Sequence, residues 1–161
     1  MTKRIVLLFA LLFIVEYTYA QTAKSNNIRL HVLRLNKIGK TYTLNTEDST
    51  VTELRYLGKI STSKGKTYKI LTSVWIWGIS HRATNRILVY TANNRYVGNY
   101  YLTLSTDLPD CIMDNKLVFR NKEPDCDSRL TTYLDFNNDI PKKFFRKCRG
   151  ERGDIYTFSK D

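Results

Sequence analysis

The chain has 161 residues, 42% of them hydrophobic and 25% charged, with only 7 Gly and 3 Pro. That balance excludes disorder and fibrous repeats, and the length excludes two large domains, so a single globular domain is expected. Lys and Arg number 26 against 15 Asp and Glu, a formal charge of +11 that exceeds what solubility requires and raises the question of a negatively charged partner or surface.

At the N-terminus Lys3 and Arg4 precede an apolar run from Ile5 to Val15, and Thr18-Tyr19-Ala20 sets small residues where a signal peptidase reads. This predicts a secretory signal peptide over residues 1–20 and an exported domain over residues 21–161. As a helix the run would rise about 16 Å, about half of a bilayer core, and Glu16 closes it, so a cleaved leader is the better reading than a retained anchor. Cleavage after Ala20 would expose Gln21 rather than the Cys of a lipid-anchored lipoprotein. No later apolar stretch approaches the length of a membrane span, so no transmembrane anchor is expected after cleavage and the expected location is secreted or periplasmic. Loss of the leader removes Lys3, Arg4 and Glu16, which leaves the basic excess in the domain itself.

Beyond the leader the apolar residues recur in steps of two. Ile28 to Leu35 alternates as a half-buried strand would, and Thr41 to Leu44 and Val51 to Leu57 are shorter candidates. Lys66 to Ile79 holds the densest apolar stretch, and Val74 to Trp77, apolar on both sides, predicts a central strand covered on both faces. Arg86 to Thr91 and Tyr96 to Leu104 flank Ala92-Asn93-Asn94-Arg95, whose asparagines tolerate the left-handed backbone of a tight turn, so a hairpin is expected there. Lys116 to Phe119, Leu130 to Phe136 and Ile155 to Phe158 supply further strands, and a short helical turn is expected only near residues 141–148, after Pro141. The sum is an all-β sandwich or barrel of about 8–10 short antiparallel strands.

Three cysteines in an exported chain allow one internal bridge. Cys126 with Cys148 is preferred because each sits in a turn-rich stretch flanking the strand at Leu130 to Phe136, with Cys111 to Cys126 as the competitor. No paired C-x2-C occurs and neither histidine adjoins a cysteine, so no metal site is expected, nor any cofactor.

Charge is laid out unevenly. Residues 61–105 carry six bases and no acid, residues 106–141 carry eight acids and four bases, and the tail is basic again. Within it Lys142, Lys143, Arg146, Lys147, Arg149 and Arg152 surround Phe144 and Phe145. Lys142, Lys143, Arg146, Lys147 and Arg149 are therefore candidate contacts for an anionic envelope polymer, lipid headgroup or glycan, against the plainer reading of a solvated segment anchored by its two phenylalanines. Trp75 and Trp77, two apart on a strand, share a face, and with Tyr100 and Tyr101 they are candidates for stacking, although a Trp pair in an apolar run is more often core. For catalysis the weak candidates are His81, Arg82 and Arg86, the members a nuclease-type site would use. His31, the second histidine, is not paired with them by spacing.

The expected function is thus non-catalytic binding at an envelope or extracellular surface. The alternatives are a small secreted hydrolase of nuclease type and a structural subunit that pairs with a protein partner through an exposed strand edge. Export makes cytoplasmic nucleic acid the least fitting partner.

Overall fold

The computed structural model describes residues 27–45 and 50–160, and the expected leader lies outside them. Ten strands succeed one another: β1 (Thr41–Asn45), β2 (Val51–Ser61), β3 (Thr67–Trp77), β4 (Arg82–Thr91), β5 (Tyr96–Leu102), β6 (Cys111–Met113), β7 (Lys116–Arg120), β8 (Thr131–Asp135), β9 (Lys143–Arg149) and β10 (Arg152–Ser159). A 3-10 turn covers Ser105–Asp107 and a helix, α1, covers residues 27–35. Strands β1-β2-β3-β4-β5-β10-β9 form one sheet in that order and β6-β7-β8 a second. Every recorded pairing is antiparallel, which agrees with the all-β, sandwich-like expectation.

The main core lies between the sheets. Ile60, Ile70, Ile87, Val89, Tyr100 and Leu102 of the large sheet meet Leu117, Phe119, Leu134 and Phe136, and Phe144 and Tyr156 close the end. On the opposite face of the large sheet Val32 and Leu33 of α1 pack on Leu54, Tyr56, Leu71, Leu88 and Tyr90. The molecule is therefore layered as helix, large sheet and small sheet.

Helix α1 corrects the strand expected at Ile28 to Leu35. A strand would send the adjacent Val32 and Leu33 to opposite faces, yet both are buried in one cluster. Helical spacing brings Ile28 and Val32, and Arg29 and Leu33, onto one side, a pattern that an eight-residue stretch shares with β alternation. The helical turn expected near 141–148 is likewise replaced, by β9. Here Phe144 and Arg146 turn inward while Lys143, Phe145 and Arg149 are exposed, and Gly150, at φ 54°, turns the chain into β10.

Other expectations hold. Strands β4 and β5 form the hairpin, with Asn94 at φ 60° in its turn. Strand β3 is interior to the sheet, although its burial on both faces runs through Ile70 to Ser73 and not through Val74 to Trp77. Cys126 and Cys148 form the disulfide, leaving Cys111 free. Its separation of 22 residues corresponds to about 3 kcal/mol of loop-closure entropy. The bridge fastens the segment before β8 to β9, and the Asn121 side-chain amide reinforces the junction by donating to the carbonyls of Asp127, Lys147 and Cys148.

Candidate binding face

Residues paired across antiparallel strands share a face, so the register decides which side chains stand together. Leu71↔Leu88, Ser73↔Arg86, Trp75↔Thr84 and Trp77↔Arg82 place both tryptophans and both arginines on the face that α1 partly covers. Tyr101, opposite Arg86, extends it onto β5. Phe158↔Tyr100 points both residues toward the core, so Thr157 and Ile155 continue the α1 face, and their partners Lys143 and Phe145 carry it onto β9. Lys147, opposite Gly153, follows by alternation, but a bulge at Cys148 sets Arg149 opposite Arg152, out of this phase and in a cleft with Asp127 and Arg129. From β3 to β9 the face crosses four strand intervals, about 19 Å at ordinary spacing.

Helix α1 leaves a large part of this face bare. Trp75 is 44% exposed, Tyr101 54%, Phe145 43% and Ile155 64%, and Ile79, in the β3–β4 turn, is fully exposed. The two tryptophan rings stack at 5.7 Å and 28°, with the Arg82 guanidinium 5.9 Å from the Trp77 centroid and the Trp77 indole N–H donating to Thr84 Oγ1. The Phe145 ring lies over Gly153, where a Cβ would stand 2.7 Å from it.

The electrostatics are one-sided. Lys59, Lys69, Arg82, Arg86, Lys143 and Lys147 all occupy this face, and among its described strand positions there is no Asp or Glu. Lys59 stands directly opposite Lys69, and Arg149 opposite Arg152, like-charge pairings that cost stability in a sheet. Burial first, and Lys59 second, push the Lys69 ammonium below its ordinary range. Among the described residues only Lys147, of these cations, has a carboxylate within ion-pair distance, Glu151 at 3.6 Å. The other recorded ion pairs lie elsewhere: Lys66 with Asp139, Arg120 and Lys122 with Asp110, Arg129 with Asp127, and Arg146 with Asp107.

The structure thus unites the tryptophan pair and part of the basic tail, which are far apart in sequence. Trp75, Trp77, Tyr101, Lys143 and Lys147 share the face, Lys142, also exposed, immediately precedes β9, and Arg149 lies past the β9 bulge in a cleft with Asp127 and Arg129. Two candidates are removed from the surface. Tyr100 is fully buried and gives its hydroxyl proton to the Pro141 carbonyl. Arg146 is buried and committed to Asp107. Both lie at the inward phase of their strands, which the runs of aromatics and cations around them conceal. The catalytic candidates separate: Arg82 and Arg86 join the face, His81 is exposed in the turn at φ 48°, and His31 is exposed on a different element, α1. Sequence reasoning overlooked Ile79 and Ile155 and assigned Phe145 to the core. The alternation of Ile155 with the inward Tyr156 was the available signal.

Comparison with protein-family models, curated proteins and solved structures yields no match to this chain.

Proposed function

We propose that this is an exported, non-catalytic binding protein that attaches to an anionic surface or polymer through the uncovered part of the α1 face. One observation carries the reading: a sheet face with six cations, no carboxylate at its described strand positions and exposed rings among the charges. A solvated surface without a partner gains nothing from like charges facing each other across strands, whereas a phosphate or carboxylate ligand turns that repulsion into attraction. Export is supported by the leader-like residues 1–20 and by the Cys126–Cys148 bridge, a bond that persists in oxidising compartments. The test is retention on an immobilised polyanion. Binding should weaken as salt rises and should fall when Arg82, Lys143 and Lys147 are changed to Gln; retention that ignores both would remove the reading.

A further inference from the structure

The exposed apolar residues of the α1 face are not all of the kind that reads a soluble polymer. Rings such as Trp75 and Tyr101 stack on sugars or bases, but Ile79 and Ile155 can neither stack nor bond a phosphate, and both are largely exposed, at 102% and 64%. Each sits beside aromatics and cations. Ile79 is in the turn next to Trp77 and Arg82, while Ile155 faces Phe145 across β9–β10, with Lys143 and Lys147 on either side along β9. Two apolar prongs at opposite ends of a cationic face with no Asp or Glu at its described strand positions match the chemistry of a membrane boundary. Aliphatic side chains enter the acyl region, Trp and Tyr rest at headgroup level, and Lys and Arg meet the phosphates.

We infer that the α1 face docks on the surface of an anionic phospholipid bilayer, with the Ile79 turn and the Phe145–Ile155 pair inserted and Arg82, Arg86, Lys143 and Lys147 on the headgroups. The inference rests on the proposed anion-binding reading and names its source as lipid. Charge complementarity alone suits any polyanion; the exposed isoleucines select the bilayer. Neither chemistry is sufficient by itself, since a few apolar side chains give marginal partitioning and a basic patch alone is released by salt.

The experiment uses the protein with vesicles of phosphatidylcholine, with or without phosphatidylglycerol, and with soluble polyphosphate. Both tryptophans of the chain belong to this face, so their emission reports on it directly. The expected results are sedimentation with the anionic vesicles only, a blue shift of emission, and quenching by lipids brominated in the upper acyl chain. Ile79→Ser with Ile155→Ser, two exposed changes that leave every cation in place, should weaken vesicle binding at least tenfold and leave polyphosphate binding unchanged. Equal vesicle binding by that variant would overturn the insertion. Binding to polyphosphate without binding to vesicles would overturn the lipid assignment while leaving the anion-binding reading standing, and binding to neither would end both.

Discussion

Arg146 Nη1 donates to Asp107 Oδ1 at 2.7 Å, and both side chains are all but inaccessible, at 3% and 5% exposure. The pair has further partners, although among the described residues Arg146 Nε has none. Asp107 Oδ2 accepts from the Tyr156 hydroxyl and from the Leu104 backbone N–H, and Arg146 Nη2 reaches the Arg120 carbonyl. One contact therefore ties the 3-10 turn after β5 to the inner side of β9, and so holds in place the strand whose outer side carries Lys143, Phe145 and Lys147.

Removing either partner should be costly, because the survivor is left as an uncompensated buried charge. Asp107→Ala is expected to lower unfolding stability by about 3–5 kcal/mol, and Arg146→Ala by a similar amount. Urea denaturation of the two variants measures this. Losses below about 1 kcal/mol would mean that water reaches the site and the pair is not as dry as its exposure indicates.

A second prediction concerns Gly98, at φ 154°. A Cβ there would lie 2.1 Å from the Ser159 carbonyl oxygen and 2.5 Å from the Phe158 ring, at the seam where β5 meets β10. Gly98→Ala should cost about 3 kcal/mol through overpacking and backbone strain. Gly150→Ala, also at positive φ but with nothing within 4 Å of the added atom, should cost only about 1 kcal/mol. Equal losses for the two would show that the seam simply opens.

How much of this was legible in the sequence follows from the range of each signal. The β4–β5 hairpin is written locally in its Asn-containing turn, and Cys126–Cys148 follows from the two turn-rich stretches around one strand. Helix α1 was not legible, because Ile28 to Leu35 fits both periods and only the joint burial of Val32 and Leu33 decides between them. The face itself was out of reach. Its membership depends on β10 inserting between β5 and β9, a long-range pairing that no local pattern encodes, and on strand phase, which separates Arg146 from Lys147 and Tyr100 from Tyr101.

Stability should also fall at alkaline pH. Tyr68, Tyr90 and Tyr156 are pushed up to about 12, from an ordinary value near 10, first by burial; hydrogen bonds to Asp139 and Asp107 add to the effect at Tyr68 and Tyr156. Between about pH 10 and 12 the unfolded chain gives up phenolic protons that the folded chain retains, so stability is full below pH 10 and is lost as pH rises through that window. Melting followed by circular dichroism at pH 8, 10 and 11 should show a falling midpoint, with tyrosinate absorbance appearing as the protein unfolds. Tyrosinate that forms near pH 10 in all the tyrosines of the folded protein would contradict the burial.

The most discriminating prediction separates the position of charge from its amount. Arg82, Lys143 and Lys147 stand on the α1 face, whereas Arg120, Lys122 and Arg129 are held by Asp110 and Asp127 away from it. Changing either trio to Gln removes three positive charges, so any effect of net charge on long-range attraction is the same for both. If the α1 face is the contact surface, the first trio should weaken retention on an immobilised polyanion at least tenfold and flatten its salt dependence, while the second should change it less than threefold. The second trio also carries its own internal check. The Arg129 guanidinium beside Asp127 holds that carboxyl down to about 2, so Arg129→Gln should return it toward the ordinary carboxylate range in an NMR titration. Equal weakening by the two trios would mean that the protein binds anions by its overall charge and that the shared face of β3, β4, β5, β10 and β9 has no special part in it.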